Sequence, residues 1–269
     1  MTVVLGQMIA EGRTAEVYAW RDRMVLKVFR SWFPEESIHY EARIARAVCA
    51  AGVVAPQVGD IVEVEGRLGL EYERLAGQTM GEVMARKPWL FLRYAHQLAE
   101  LHVAIHAIKG IADTPTQHEQ LTYKIRAAKD LPATLQKAAL QALAQMPQGA
   151  QLCHGDFHPW NVILTEKGPL TIDWDSTSSG APLADVARTA VLLDGVGEMT
   201  EQVTWLEKLL LGWYRRAYLQ RYFKLNPGGE AEYRRWRPIV AAGRMSEEIP
   251  GLNPWLRQQV EKVLHPVER

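Results

Sequence analysis

The sequence predicts an α+β fold with two lobes: a small antiparallel sheet with one helix, then a larger, mostly helical part. Short runs rich in β-branched residues and bounded by turn residues fill residues 1–75. Apolar residues at helical spacing dominate residues 76–269. The length of 269 residues also exceeds what one compact core usually needs, so a bilobal arrangement is expected.

The small lobe, residues 1–75, contains the predicted sheet. Strands are expected at residues 3–5, 16–20, 24–29, 58–64 and 68–73. The predicted helix begins after Pro34. Glu35 and Glu36 fall in its first turn, where acidic side chains interact favourably with the helix dipole. Apolar residues recur at helical spacing until Gly52, which ends the helix.

The large lobe, residues 76–269, is predicted to be helical except for one hairpin. Helices are expected at residues 88–107, 131–146, 182–193, 200–222, 230–242 and 254–264. Two short apolar runs, residues 162–165 and 170–172, flank the turn sequence Glu-Lys-Gly-Pro. This arrangement predicts two antiparallel strands joined by a tight turn.

Composition excludes several functional classes. Formal net charge is zero, so no overall field favours nucleic acid or an anionic membrane as a partner. The two cysteines, Cys49 and Cys153, predict no disulfide framework and favour a reducing compartment. We find no signal peptide, that is, no basic start followed by an apolar core. No apolar run approaches the roughly 20 residues that a membrane helix needs. A cytoplasmic protein is therefore expected, and its oligomeric state is left open.

Side chains with oxygen ligands flank the predicted hairpin. Asn161 comes directly before its first strand and Asp173 follows its second, so the hairpin brings these side chains close together. Both offer the oxygen atoms that Mg²⁺ prefers. With Asp156 to orient an attacking hydroxyl, the set has the groups that phosphoryl transfer from a nucleotide requires. Alternatively these side chains only cap turns, but the spacing of the combined motif is highly specific and favours the metal site.

The motifs around these residues resemble those of a known family. Three patterns are present, His-Gly-Asp-x-His-x-x-Asn, Ile-Asp-Trp and Gly-x-Pro-x-x-Asp-x-Ala. The matching residues are His154, Gly155, Asp156, His158, Asn161, Ile172, Asp173, Trp174, Gly180, Pro182, Asp185 and Ala187. On these motifs the chain resembles, over essentially its whole length, the aminoglycoside phosphotransferase and choline kinase-like family, which has the protein-kinase fold.

This resemblance implies a small-molecule kinase that uses ATP and Mg²⁺ to phosphorylate a hydroxyl group. By resemblance, Asp156 is the catalytic base, Asn161 and Asp173 are the Mg²⁺ ligands, and Asp185 braces the catalytic loop from a helix. His158 has two possible roles. It either stabilises the transferring phosphoryl group or orders the loop by hydrogen bonding.

Lys27 is predicted to contact the phosphates of the nucleotide. It lies in the apolar strand sequence Val-Leu-Lys-Val-Phe, where an unpaired ammonium group would be costly. In kinases such a lysine is held by a glutamate from a helix. Glu41 occupies the middle of the predicted helix and is the expected partner, with Glu36 as the alternative. A lysine that points to water from an edge strand is the competing interpretation.

The loop between the first two predicted strands, residues 10–15, is a candidate phosphate loop. A flexible glycine lets backbone N–H groups approach phosphate oxygens. Only the central glycine of a Gly-x-Gly-x-x-Gly pattern is present, so Gly12, Arg13 and Thr14 are the candidate contacts. Taken alone, the segment favours an ordinary hairpin, and its position between the first two strands, ahead of Lys27, is what favours the phosphate loop.

The segment between the two predicted lobes resembles the hinge of a kinase. By that resemblance, the Glu73 carbonyl and the Leu75 N–H would bond the edge of the adenine ring. A plain linker is the alternative, because backbone contacts leave little trace in a sequence.

A cationic and aromatic stretch near the end of the chain bears on the acceptor. Residues 212–244 contain Arg215, Arg216, Arg221, Lys224, Arg234, Arg235, Arg237 and Arg244, with seven aromatic residues among them. Such a stretch disfavours a polycationic aminoglycoside and suits an acceptor with a carboxylate or phosphate. The preferred interpretation is that the arginines lie on solvated helix faces and the aromatic residues belong to the core. Glu247 and Glu248 follow and would supply acidic contacts.

Two other functions compete with a kinase. The incomplete glycine loop favours a kinase-fold nucleotide-binding regulatory protein without turnover, although Asp156, Asn161, Asp173 and Lys27 are all present. The arginine-rich stretch raises the weaker hypothesis of nucleic-acid binding.

Overall fold

The computed structural model of the chain describes residues 5–198 and 204–264. The chain forms two compact units. The first contains the described residues up to Glu82 together with Trp160–Asp175. The second contains Val83–Pro159 together with the described residues from Ser176 onward.

The first unit is built on a five-stranded antiparallel sheet. Its strands are β1 (Met8–Glu11), β2 (Ala15–Trp20), β3 (Met24–Phe29), β4 (Val58–Val64) and β5 (Arg67–Glu73), in the spatial order β1-β2-β3-β5-β4. Helix α1 (Glu35–Ala50) contacts β4 and β5 and buries Ile38 and Ala42 against Phe29 and Leu70. Trp20 belongs to a second apolar cluster of the sheet. The prediction of an antiparallel sheet with one helix matches this unit.

The first strand differs from its prediction. Positions 3 and 4 of the predicted strand lie outside the described residues, and Leu5 is not in a strand. The first described strand is β1, whose last residues were expected to form a loop. Met8 and Ile9 are 50% and 48% exposed, so this edge strand lacks the alternation of buried and exposed residues that identifies strands in a sequence.

A smaller sheet in the first unit contains the predicted hairpin. Strands β6 (Gly77–Thr79), β8 (Val162–Thr165) and β9 (Gly168–Thr171) pair in the order β6-β8-β9. Val162 lies opposite Thr171, and the next rung is a hydrogen bond from the Ile172 N–H to the Asn161 carbonyl at 3.0 Å. The pairing therefore brings the backbone positions before β8 and after β9 together, as the sequence predicts.

The second unit is mostly helical. Helix α2 (Met80–Arg86) begins in the first unit and ends in the second. The other helices of the second unit are α3 (Phe91–His106), α4 (Gln117–Ala127), α5 (Ala133–Ala144), α6 (Pro182–Val196), α7 (Trp205–Leu225), α8 (Glu230–Arg244) and α9 (Asn253–Leu264). Helix α3 packs along α7, and α6 packs along α8. A two-stranded sheet pairs β7 (Gln151–Cys153) with β10 (Ser178–Gly180). In the described part of the chain, no helix is long and apolar enough to cross a membrane.

Several elements of this unit were not predicted. Helix α4 has few buried apolar residues, but Thr116 and Glu119 form a capping box at its start. Strands β7 and β10 have three residues each, too few to show a periodic pattern. Helix α7 begins at Trp205, and positions 200–203 of its prediction lie outside the described residues.

Candidate active site

The loop that follows β7 carries the predicted catalytic base. The chain leaves the strand at Cys153, which is buried, and turns sharply at Gly155. Gly155 has φ +79, and a Cβ atom there would lie 2.2 Å from the carbonyl oxygen of Ser176. Only glycine fits this position, so the sharp turn that presents Asp156 depends on it.

Asp185 of α6 fixes the backbone of this loop. Its Oδ2 accepts a hydrogen bond from the His154 N–H at 2.6 Å, and its Oδ1 accepts one from the Gly155 N–H at 2.9 Å. Two residues of α3 also contact Oδ2, His102 through Nε2 at 3.1 Å and His106 through Nε2 at 3.3 Å. The bracing contacts expected of this aspartate are therefore present in the second unit.

The histidines that hold Asp185 are themselves held by tyrosines of α7. His102 Nδ1 lies 2.6 Å from the Tyr218 hydroxyl, and His106 Nδ1 lies 2.9 Å from the Tyr222 hydroxyl. With neutral imidazoles, each ring donates to Asp185 and accepts from a tyrosine, so both nitrogens of each ring are satisfied. Burial, and then the neighbouring His106, lowers the pKa of His102 to about 3, against the opposing effect of Asp185. His102 is therefore neutral at physiological pH.

Asp156 has different surroundings. Its side chain is 28% exposed, its Oδ2 lies 3.3 Å from His158 Nε2, and its Oδ1 lies 3.3 Å from Arg188 Nη2. Burial alone would raise the pKa of Asp156, but the hydrogen bond from His158 and the charge of Arg188 together hold it well below its usual value. The carboxylate is therefore ionised and oriented from both sides. The contact places His158 against Asp156, and both of its expected roles remain predictions.

In the first unit, Lys27 of β3 forms the predicted ion pair with Glu41 of α1. Lys27 Nζ lies 2.8 Å from Glu41 Oε1, and the same oxygen accepts the hydroxyl of Tyr72 at 2.8 Å. Glu36, the alternative partner, is exposed in the first turn of the helix. A buried glutamate fixed by two donors holds the lysine head in one place.

Lys27 also contacts the predicted metal ligand Asp173, whose Oδ1 lies 3.2 Å from Nζ. Burial would lower the pKa of Lys27, but Asp173, Glu41 and Asp175 together raise it above its usual value. Asp173 has φ +64, a strained backbone conformation that is uncommon outside glycine and frequent at functional sites. Its carboxylate remains 39% exposed, so it has oxygen available for a ligand.

Comparison with known proteins identifies the family. The model of a family described as the phosphotransferase enzyme family (APH) matches residues 6–238. The chain belongs to the phosphotransferase enzyme family. The expected enzyme class, a small-molecule kinase, is thereby confirmed. A search of curated proteins found no significant match.

Solved structures with the same fold are distant in sequence. A thermostable mutant of aminoglycoside phosphotransferase APH(4)-Ia, in a ternary complex with ADP and hygromycin B, has a TM-score of 0.65 and 18% identity, over 98% of this chain and 94% of that one. The amicoumacin kinase hAmiN, in complex with AMP-PNP, Ca²⁺ and Ami, has a TM-score of 0.66 and 14% identity, over 99% and 93%. A choline/ethanolamine kinase family protein from Mesorhizobium loti has a TM-score of 0.63 and 15% identity, over 99% and 90%. These likenesses confirm the predicted bilobal protein-kinase-like fold.

This phosphotransferase has a further residue at the catalytic loop that the sequence did not reveal. Arg188, one turn after Asp185 on α6, donates from Nε to the Gly155 carbonyl at 3.0 Å. Its Nη2 contacts Asp156 and also Glu247, whose Oε1 lies 2.6 Å away. Burial opposes the charge of Arg188, but Glu247 and Asp156 raise its pKa. One side chain thus fixes both the backbone and the carboxylate of the loop.

The candidate nucleotide contacts of the first unit lie at turns. Gly12 donates its N–H to the Ala15 carbonyl at 2.8 Å, so Gly12, Arg13 and Thr14 form a short turn between β1 and β2. Glu73 ends β5, and its backbone N–H donates to the Gln57 carbonyl at 2.8 Å. The nucleotide roles predicted for these residues and for Leu75 remain predictions.

The cationic and aromatic stretch of this family member is mainly structural. Most of its aromatic residues are buried, among them Tyr214, Tyr218, Tyr222, Tyr233 and Trp236. Arg215 and Arg237 both contact Asp194, at 2.6 and 2.7 Å, and Arg221 contacts Glu100. The aromatic residues thus belong to the core, as the preferred interpretation predicted, whereas Arg215, Arg221 and Arg237 form ion pairs between helices and do not simply lie on solvated faces. Arg244, which is 4% exposed, differs because it is neither on a solvated face nor hydrogen-bonded through Nε or Nη1 to any residue that the structure describes.

Proposed function

We propose that this protein is an ATP- and Mg²⁺-dependent phosphotransferase that moves the γ-phosphoryl group to a hydroxyl of a small molecule. The observation that supports it most is Asp156, an ionised and partly exposed carboxylate whose two oxygens are oriented by His158 and Arg188. A reactive carboxylate needs a fixed position and access to the substrate, and Asp156 has both.

The nucleotide is assigned to the first unit. Lys27, held by Glu41, would contact the phosphates, and the turn of Gly12, Arg13 and Thr14 would offer backbone N–H groups. Two of the structurally similar enzymes are described as complexes with ADP or AMP-PNP. The backbone of Glu73 and Leu75 would bond the adenine edge.

Asn161 and Asp173 would hold the Mg²⁺ ion. The donor set fits, because one amide and one carboxylate leave the remaining positions of an octahedral ion for water and phosphate. The hairpin ladder brings their backbones together, and Asp173 keeps an exposed carboxylate in a strained conformation. When bound, the ion would supply positive charge to the β- and γ-phosphate oxygens.

Asp156 would accept a hydrogen bond from the acceptor hydroxyl and aim its oxygen at the γ-phosphorus. A bond forms between that oxygen and phosphorus, the bond from phosphorus to the bridging oxygen of ADP breaks, and the hydroxyl proton passes to Asp156. A carboxylate with a lowered pKa is a weak base, so its first contribution is orientation and the proton moves late.

ADP release over a panel of amino alcohols, sugars, amino sugars and aminoglycosides tests the proposal, with Asp156→Ala as the control. We expect release with at least one acceptor and its loss in the variant. Wild-type turnover by Asp156→Ala would refute the assigned base. Calorimetric binding of nucleotide without transfer to any acceptor would instead favour the regulatory, non-catalytic alternative that the incomplete glycine loop raises.

A further inference from the structure

A small cavity lies beside the catalytic loop, inside the second unit. Its volume is about 30 Å³, and Gly155, Arg188, Arg244 and Lys124 are among the residues that line it. Gly155 directly precedes Asp156, and Arg188 contacts the Asp156 carboxylate, so the cavity lies next to the proposed base. Three of the charged side chains that line it are cationic, and the fourth is Asp185, whose oxygens are already hydrogen-bonded within the protein. The space therefore suits an anion.

Arg244 gives the strongest indication of a ligand. Its side chain is only 4% exposed, yet Nε and Nη1 have no hydrogen-bond partner among the residues that the structure describes. The nearest carboxylate oxygen, Glu247 Oε2, is 3.9 Å from Nε, which is beyond hydrogen-bonding distance. Two buried guanidinium nitrogens without a hydrogen bond are unfavourable, and a bound anion would satisfy them.

The carboxylates nearest to Arg244 are shared with Arg188. Glu247 makes its short contact with Arg188, and Asp156 also contacts Arg188. Burial, and then the like charge of Arg188, lowers the pKa of Arg244 to about 10, and the charges of Glu247 and Asp156 only partly oppose this. Together with its two unsatisfied nitrogens, this leaves Arg244 able to take a further negative group.

The geometry of the guanidinium group favours a carboxylate as the anion. A water-sized group needs roughly 10–15 Å³ of such space, so this small cavity has room for about two oxygen atoms. A carboxylate offers two oxygens in one plane, and a guanidinium group matches that geometry with two parallel N–H groups.

We propose that Arg244 and Arg188 bind a carboxylate of the acceptor, so that the substrate is a small hydroxy acid whose hydroxyl reaches Asp156. This inference rests on the proposed function and deepens it. It makes Arg244 a specificity-determining residue, and it disfavours cationic acceptors such as choline or aminoglycosides because the arginines would repel them.

Binding is tested by thermal unfolding of the full chain in the presence of single small probes at equal ionic strength. We expect D-glycerate or L-serine to raise Tm, and glycerol, ethanolamine and inorganic phosphate not to do so. If neither carboxylate stabilises the protein, or if phosphate does so instead, the inference is overturned.

Arg244→Met separates a binding role from a structural one. Methionine fills similar space without a buried charge, so the ligand-free Tm should stay equal or rise, whereas the Tm shift with the carboxylate should disappear. Arg237→Met is the matched control on the same helix, because Arg237 has a short ion pair with Asp194. This control should lower Tm and keep the carboxylate-dependent shift. The reverse result, with Arg244→Met destabilised and still responsive, contradicts the proposal.

Turnover provides the final test. In the ADP-release assay we expect kcat/KM to be about 10- to 100-fold higher for L-serine than for ethanolamine, or for D-glycerate than for glycerol. This preference should be lost in Arg244→Met. If Asp156-dependent release occurs only with ethanolamine or an aminoglycoside, the proposed function stands and the carboxylate assignment fails. If no acceptor gives Asp156-dependent release, the proposed function fails, and this inference fails with it.

Discussion

Asp156 lies in the loop that follows β7, and Asp185 of α6 holds that loop, but the surroundings of the two carboxylates differ. The Asp185 side chain is fully buried, and it accepts two backbone N–H groups and two imidazoles. Asp156 is partly exposed and contacts two cationic or protonatable groups. A carboxylate whose oxygens are all used within the protein can hold a backbone in place. One that is oriented but accessible can also accept a proton from a substrate.

The largest expected effect is on turnover. Asp156→Asn should lower kcat by about 10²- to 10⁴-fold, the usual contribution of a positioned acid or base. Stability should change by no more than about 1 kcal/mol, because a partly exposed ion pair contributes little and Arg188 keeps Glu247 as a partner. ADP release and urea unfolding of the same preparation would measure both quantities. If Asp156→Asn lost stability as well as activity, the two carboxylates would no longer differ in the way proposed.

Asp185→Ala should show the opposite balance. It leaves the N–H groups of His154 and Gly155 and the rings of His102 and His106 without their acceptor inside the protein. We expect the free energy of unfolding to fall by roughly 3–5 kcal/mol, as when one partner of a buried charged network is removed. Urea unfolding measures the loss. Near-wild-type stability would show that the loop holds its shape without this aspartate.

The candidate site residues that the sequence indicates are those that can be recognised from their spacing along the chain. Asp156, Asn161 and Asp173 form one motif, and Lys27 and Glu41 are charges inside apolar patterns, so each is visible without a structure. Arg188 was not recognised as a site residue, and Arg244 was noted only as one of several arginines that would suit an anionic acceptor. An arginine in a helix usually points to solvent, and only tertiary packing shows that Arg244 is buried and that Arg188 is mostly covered.

The fold shows the same limit. Strands β2 to β5 and helix α1 have periodic apolar residues, and these elements were predicted close to their bounds. Strand β1 is exposed and β7 is short, so neither has a periodic signal. Helix α4 was not predicted from the sequence, although Thr116 and Glu119 have the spacing of a capping box, which is a recognisable sequence signal.

The buried network around Asp185 should also make the free energy of unfolding depend on pH, through His102. The pKa of His102 is about 3 in the folded protein and near 6.5 when unfolded, so the unfolded state binds the extra proton. The neutral His102 ring makes its full contribution to the free energy of unfolding above pH 6.5. This contribution is lost as the pH falls towards 3, by at most about 1.4 kcal/mol per pH unit. His102→Gln should flatten this slope in urea unfolding between pH 6.5 and 4. His39→Gln, a change at an exposed histidine of α1, should leave it unchanged. An unaltered slope in His102→Gln would show that the Asp185 network does not depend on a neutral ring.

The smallest effect is expected at Thr189, the third residue of α6 that holds the loop. Its hydroxyl donates to the Phe157 carbonyl at 2.8 Å, on the far side of Asp156 from the two N–H groups that Asp185 binds. Thr189→Val keeps the volume and removes this bond, at an expected loss of about 1 kcal/mol in unfolding free energy. Thr189→Ser keeps the bond and removes a methyl group. If the loop must be held on both sides of Asp156 for catalysis, kcat should fall in the valine variant and be preserved in the serine variant, even where the two are equally stable. Equal kcat values at equal stability would show that Asp185 and Arg188 suffice to position the carboxylate.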